Sequence, residues 1–229
     1  MFHLVGIIRE AGGATFESVH VEGTTALVQA ARHAGARRLL YVSAIGARPD
    51  APTAYWRTKA EAERIVATSG LSWLVLRPSL VFARDGEFYG ILKQLTAVPL
   101  VPVLGSGRTL LQVVHADDLA LVEARALDAP GAWNRVVNVV GPEAIPFKTL
   151  LRRTARGLHR PVVFVHVPIA FARPFIHLAA AVLPNPPITP GQLAMLAEDS
   201  VGDPAELARL FGVHVRPVDD VFGDRGAAT

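Results

Sequence analysis

RLLYVSAIGARPDAPTAYWRTKAEAERIVATSGLSWLVLRP, residues 38–78, holds two short apolar runs separated by one long amphipathic stretch. The first run, Arg38–Val42, has the length and branching of a strand buried on both faces. Ala54–Ser69 spaces its apolar residues as a helix does, and Gly70 is placed to close it. Trp73–Leu76 is a second buried strand, ended by Arg77-Pro78. Strand, helix, strand at this spacing is a parallel βαβ unit.

The same rhythm extends toward the N-terminus. FHLVGII, Phe2–Ile8, carries no acidic or basic side chain apart from His3 and reads as another strand buried on both faces. Phe16–Ala34 places Val21, Leu27, Val28 and Ala31 at helical spacing, and Gly35 ends it. The expected architecture is α/β, a doubly wound parallel sheet.

Beyond Ser79 the rhythm loosens. Helices are expected at Gly86–Ala97, Asp117–Leu127 and Pro146–Leu158, with proline tolerated early in the last. Strands are expected at Leu110–Val114, Val136–Val140 and Val162–Val167. Val98–Gly107, with two prolines and two glycines, reads as loop with a short strand. Pro168–Leu183, PIAFARPFIHLAAAVL, is a buried helix or an interfacial one, and burial is the favoured reading. The last residues, 223–229, are expected to fray.

Composition narrows the classes. Of 229 residues, 51% are apolar and 19% charged, enough to build a core and too apolar for a wholly disordered chain. With no cysteine, disulfides and thiolate chemistry are excluded. The N-terminus lacks the basic lead and apolar run of a signal peptide, and no stretch reaches the ~18 apolar residues of a membrane span. The expected location is cytoplasmic, with peripheral contact at the inner membrane as an option. Lys148, Arg152 and Arg156 recur every four residues on one helix face, with Arg153 and Arg160 close by. A solvated face is the plainer reading; anionic lipid or an acidic partner is the other. Basic and aromatic residues do not interleave, so nucleic acid is not favoured.

The chemistry centres on Ser43 at a strand end and Tyr55 and Lys59, four apart on one helix face. Strand ends are where open α/β sheets bind ligands. A tyrosine titrating near ~10 is a poor acid or base at neutral pH, and a nearby ammonium is expected to lower that value. With Ser43 hydrogen-bonding a substrate oxygen, the three groups could move a proton while a nicotinamide moves a hydride. A surface tyrosine beside a solvated lysine is the competing reading.

RRLLYVSAIGA, YWRTKAEAE and SGLSWLVLRPSLVF together resemble the extended or atypical short-chain dehydrogenases, NAD-dependent epimerase/dehydratase-like proteins. HLVGIIRE, TFESVHVEGT, Val114–Asp118, Gly141-Pro142-Glu143 and ITPGQLAML add to the match. Within the superfamily the chain most resembles the branch of the NAD(P)H-binding accessory subunit of respiratory complex I and its bacterial relatives.

The resemblance implies a Rossmann-like fold, NAD or NADP as cofactor, and roles position by position. Ser43, Tyr55 and Lys59 match the active-site serine, tyrosine and lysine, and Lys59 would also bond the nicotinamide ribose. Leu4, Val5 and Gly6, within the His3–Gly6 segment, match a strand end beside the adenosine half of the cofactor. Pro78, Ser79, Leu80 and Val81 match the loop at the carboxamide. His115 and Asp117 fall in the segment leading to the substrate side. The implied division is 1–82 for the remaining nucleotide-binding part and 83–229 for a mixed substrate-side region that returns some elements to the sheet.

There are two departures from the family pattern. His20 stands where active members often carry asparagine, so that residue's support of a proton relay is in question. Moreover, the glycine-rich turn that opens a dinucleotide fold is not in place. Gly12-Gly13 lies in a polar connection, and Gly105-Ser106-Gly107 does not lead into a helix. What is missing is one βαβαβ half, about 60 residues. The expectation is therefore a truncated chain, in preference to a natural short form, with Phe2–Ile8 as a new sheet edge and weak or no dinucleotide binding. Three functions remain open: an NAD(P)-dependent oxidoreductase or sugar-nucleotide-type epimerase with an unknown small-molecule substrate; a non-catalytic NAD(P)H-binding accessory or assembly subunit with a quinone-related or respiratory partner; and a sensor of the nucleotide ratio.

Overall fold

The computed structural model describes residues 1–183 and 188–221. Its elements in chain order are β1 (Phe2–His3), a π-helical turn (Glu17–Glu22) running into α1 (Gly23–His33), β2 (Arg38–Val42), α2 (Ala54–Ala67) and β3 (Ser72–Pro78). There follow β4 (Val81–Phe82), α3 (Glu87–Leu95), β5 (Leu100–Leu104), β6 (Leu110–Leu111), β7 (Val114–His115), α4 (Ala116–Ala126) and β8 (Arg135–Val139). The remainder comprises β9 (Ile145–Pro146), α5 (Phe147–Gly157), β10 (Val163–Val167), α6 (Ile169–Val182), α7 (Pro190–Met195) and α8 (Ala205–Phe211). Residues 223–229, expected to fray, lie outside the described residues.

The chain folds into two compact units. The first combines residues 1–79, 117–140 and 202–214. Its parallel sheet runs β1-β2-β3-β8, with Leu40 opposite Leu74 and Leu76 opposite Val137. Leu39, Leu40, Leu74, Val75 and Leu76 are fully buried, as strands covered on both faces require. Val28 of α1 and Ala62 and Val66 of α2 pack on Leu39, Tyr41 and Val75. The helices stop where glycine allows it: Gly35 and Gly70 both adopt positive φ just beyond them.

The strand expected over Phe2–Ile8 pairs only at Phe2 and His3. β1 is the sheet's edge, and its pairing stops at His3: Leu4 leaves the sheet although Val42 is next in register, and Val5 lies beyond the end of β2. They are exposed at 54% and 62% rather than buried. Entry to α2 is set by Thr53, whose hydroxyl accepts the Trp56 N–H at 3.3 Å. The preceding loop folds over Trp56 so closely that a methyl group on Gly46 would lie 2.4 Å from the indole; only glycine fits.

The second unit comprises residues 80–116, 141–201 and 215–229, described as far as 221. Its core joins Phe82, Leu92, Val101, Val103, Leu111, Leu150 and Leu151. The single strand expected at Leu110–Val114 is two. Leu110–Leu111 pairs antiparallel with β9, whereas Val114–His115 pairs parallel with β4. Between them Gln112 donates from Nε2 to the Gly141 carbonyl and accepts the Gly141 N–H on its own carbonyl. A Cβ at Gly141 would fall on the Val113 carbonyl, which explains the glycine of Gly141-Pro142-Glu143. The segment read as mostly loop holds a five-residue strand, β5, parallel to β10. The helix expected to be buried at Pro168–Leu183 is not: α6 buries Ala172 and Ile176 and exposes Phe171 and Phe175.

Candidate active site

The first unit gathers its buried polar groups at the carboxyl end of the sheet. Ser43 follows the last residue of β2, its N–H donating to the Leu76 carbonyl at 2.7 Å. Its side chain is buried, and the hydroxyl has no hydrogen-bond partner among the described residues. A buried polar atom without a partner is uncommon and calls for an explanation.

Tyr55, Lys59 and Glu63 stack at successive four-residue steps along α2. Lys59 is buried, and its Nζ donates to the Val42 carbonyl at 3.0 Å. The ammonium also lies 4.9 Å from the centre of the Tyr41 ring. A methyl group on Gly6 would come within 2.9 Å of Nζ. One turn further on, Glu63 is held by a two-pronged pair with Arg77, Nε to Oε1 at 2.8 Å and Nη2 to Oε2 at 2.6 Å.

Burial pushes the Lys59 ammonium down to about 8, with the Glu63 carboxylate partly opposing it. The expected lowering of Tyr55 is not what the geometry produces. Tyr55 sits edge-on to Phe16 at 5.8 Å and His20 at 5.6 Å, and loss of water pushes its hydroxyl up to about 12. Desolvation sets this shift, so Tyr55 is a neutral phenol at ordinary pH. Tyr41, beneath Lys59, is pushed far above its usual range, first by burial and then by the charges of Tyr55 and Glu63.

His20 faces the same position, its Nε2 3.5 Å from where a methyl group on Gly6 would lie, and is fully buried in the π-helical turn. That turn closes with the Gly23 N–H on the Ser18 carbonyl, one residue longer than an α-helical bond. The Ile7 N–H donates to His20 Nε2 at 3.1 Å, so the ring proton is on Nδ1 and is given to Thr58 Oγ1 at 2.9 Å. Thr58 in turn donates to the Ala54 carbonyl. Both ring nitrogens are therefore engaged in tying the 6–7 backbone to α2. Burial, followed by the Lys59 charge, lowers His20 to about 4, so it is neutral. His3, bonded to Thr24 Oγ1 through Nε2 at 2.8 Å, is lowered to about 4 by the same two causes.

The other expected site residues are dispersed. Pro78 pairs with Val139 at the end of β3, and the Ser79 N–H donates to the Val139 carbonyl. Asp117 lies in the first turn of α4, also in the first unit. Leu80, Val81 and His115 belong to the second unit, where β4 pairs with β7. Glu63, Arg77, Tyr41 and Thr58 are the groups that sequence reasoning passed over. Glu63 alone had a readable signal, the continued spacing of four after Lys59.

These groups suit the nicotinamide half of a dinucleotide. Ser43 offers an unpartnered hydroxyl, Lys59 spends one of its three N–H groups on Val42, and Gly6 keeps the backbone close. Gly12 and Gly13 do not supply the pyrophosphate grip. They form a tight turn between Ala11 and Ala14, and the Glu10 carboxylate already takes the Phe16 N–H at the start of the helix. Gly105 and Gly107 turn from β5 toward β6, with no helix following.

A profile of NAD(P)H-binding proteins matches residues 5–128, more than half of the chain. The chain belongs to the NAD(P)H-binding family. Among relatives of this family member is the NAD(P)H azoreductase of Xenophilus azovorans, 29% identical over 163 residues, which are 67% of this chain and 52% of that protein. Rat NADH dehydrogenase 1 alpha subcomplex subunit 9 is 28% identical over 166 residues, 71% of this chain and 44% of that one. The chain spans about half the length of these two relatives. Among solved structures, Citrobacter triphenylmethane reductase superposes with a TM-score of 0.73 at 20% identity, covering 96% of this chain and 74% of its own. A Staphylococcus aureus nucleoside-diphosphate-sugar epimerase gives 0.73 at 13% identity, covering 96% and 75%. At those identities the likeness establishes the Rossmann-like fold.

Proposed function

We propose that this NAD(P)H-binding protein is a reductase that protonates its substrate through Ser43, Tyr55 and Lys59. The observation that carries the reading is the unpartnered Ser43 hydroxyl at the sheet's carboxyl end, close to a buried ammonium that retains hydrogen-bonding capacity. The bound cofactor would supply a hydride. Ser43 donates to the accepting group, a quinone oxygen or an azo nitrogen, and holds it in place. Tyr55, neutral because burial raises it to about 12, gives its proton to that atom as it gains charge from the hydride. A neutral phenol suits proton donation, hence the reductive direction. Lys59 holds the ribose hydroxyls and, as an ammonium, stabilises the phenolate left behind.

The azoreductase and triphenylmethane reductase likenesses suggest conjugated electron acceptors, so an azo dye and a quinone are the first probes. Single-turnover oxidation of NADPH with either acceptor is expected in the protein and is expected to fall at least about 100-fold in Tyr55→Phe. Equal rates in the two proteins would remove Tyr55 from the mechanism.

A second reading rests on the likeness to the complex I subunit: an accessory or assembly protein that binds NAD(P)H without turning it over. It predicts cofactor binding with no acceptor-dependent oxidation and co-purification with respiratory components. Sugar-nucleotide-type epimerisation is the third chemistry open to the fold; inversion at a substrate carbinol carbon with no net change in the cofactor's oxidation state would identify it.

A further inference from the structure

The Gly105–Gly107 turn and the basic flank of α5 meet in the second unit. Lys148, Arg152 and Arg156 share that flank. The Lys148 backbone N–H donates to the Gly107 carbonyl at 3.0 Å. A methyl group on Gly107 would lie 2.5 Å from Val103 Cγ1 and 3.1 Å from Lys148 Cβ, so glycine is what lets the turn press onto the helix. The Ser106 and Gly107 N–H groups donate to no group among the described residues.

β10 supplies the neighbouring wall. Phe164 and His166, two apart, lie on one side of this strand. Phe164 packs against the core of the unit, and its ring also carries two cations. Lys148 Nζ lies 5.7 Å from the ring centre and the Arg152 guanidinium 5.6 Å. His166 Nδ1 donates to the Gly105 carbonyl at 3.0 Å, so its Nε2 accepts from the Lys148 ammonium at 2.9 Å. The histidine thereby ties the lysine to the turn.

Charge and donor capacity identify the ligand class. Lys148 spends one of its three N–H groups on His166. Arg152 is exposed and donates none of its five to the described residues, and no described carboxylate pairs with either side chain. Glu143 and Asp219, the acidic side chains that reach α5, both go to Arg153. Two cations one turn apart on a helix repel each other. The groups left over are two ammonium N–H groups, a guanidinium fork and two backbone N–H groups, and all of them are donors. Their complement is an oxyanion. A carboxylate brings two oxygens and one charge, whereas a phosphate monoester brings three terminal oxygens and about two charges near neutral pH, which fits this donor set better.

We infer that the Gly105–Gly107 turn, Lys148 and Arg152 form a binding site for a phosphate monoester. Arg152 and Lys148 supply the charge, Ser106 and Gly107 supply backbone donors, and His166 positions the lysine. The group recognised is the phosphate itself, whether a soluble ester or a lipid headgroup carries it. All of these residues belong to the second unit, so the site is independent of Ser43, Tyr55 and Lys59 and stands whether or not they turn a substrate over.

The test is a titration of the whole protein, labelled with nitrogen-15, with glycerol phosphate at constant ionic strength. The Ser106 and Gly107 amide resonances are expected to shift and to saturate. Arg152→Gln and Lys148→Met, with folding verified by circular dichroism, are each expected to weaken the affinity at least about tenfold, the loss of a charged hydrogen bond. Arg125→Gln, at an exposed cation of α4 in the first unit, should leave it unchanged. Given saturation, pelleting with phosphatidic acid vesicles that depends on Arg152 marks a lipid headgroup as the source, and no pelleting marks a soluble ester. Absence of saturation at Ser106 and Gly107, the same shifts with acetate in place of the ester, or an affinity unaltered in both variants would each overturn the inference.

Discussion

His20 and Lys59 both face Gly6, both buried, both at the carboxyl end of one sheet, and they have opposite characters. His20 uses both ring nitrogens within the protein, one accepting from Ile7 and one donating to Thr58. Lys59 uses one N–H on Val42 and sits near a serine hydroxyl with no partner. The histidine holds the structure together; the lysine holds capacity for something that arrives. On the proposed reading, this unused hydrogen-bonding capacity is what assigns Lys59 and Ser43 to the cofactor and substrate and His20 to the framework.

The contrast is testable from its strongest consequence downward. On the Lys59 side, Tyr55→Phe and Lys59→Met are each expected to lower acceptor-dependent NADPH oxidation by about 100- to 10,000-fold, measured in single turnover. Breaking the support of Lys59 comes next. Glu63→Gln leaves the Arg77 guanidinium without its charge partner and should cost about 3–5 kcal/mol in chemical denaturation. Because the Glu63 carboxylate holds Lys59 up, the alkaline limb of the rate profile, near 8 in the unaltered protein, should move to lower pH in this variant.

Acid should act on the histidine side. His3 and His20 titrate near 4 when folded against 6.5 ordinarily, so the unfolded chain binds more protons between those values. Their contribution is complete above pH 6.5 and declines as pH falls toward 4, by about 3 kcal/mol for each histidine. Denaturation midpoints measured across that window should show the loss, and a flat profile would argue against neutral buried rings. The smallest effect is His20→Asn, which can replace one of the two ring bonds at best. It should cost about 1–2 kcal/mol and leave the Tyr55-dependent rate within a few-fold. A rate loss matching Tyr55→Phe would put His20 in the proton path and abolish the contrast.

Much of this was legible in the residues. The 38–78 stretch displays its strand, helix and strand through apolar length and period, and the glycines ending α1 and α2 adopt the backbone that their positions suggested. The i, i+4 spacing of Tyr55 and Lys59 placed them on one face, and the same spacing would have led to Glu63. Other features depend on partners remote in sequence. β1 is short because the chain leaves the sheet edge after His3, before Val42 is paired, and Leu110–Val114 divides because its two ends pair with different strands. The exposure of α6 could not be read from hydrophobicity, which is the same for a core helix and an interfacial one. The π-helical turn that brings His20 inward has no local motif, and Tyr55 titrates high because surrounding rings exclude water, which spacing from Lys59 cannot reveal.

The most direct test of the central claim is a calorimetric titration of NADPH into the protein and into Lys59→Met, with folding of both verified by circular dichroism. If the free capacity of Lys59 serves the cofactor, the protein binds and the variant binds at least about tenfold more weakly, the loss of a charged hydrogen bond. Equal affinity in the two would contradict the assignment of this buried ammonium to NAD(P)H.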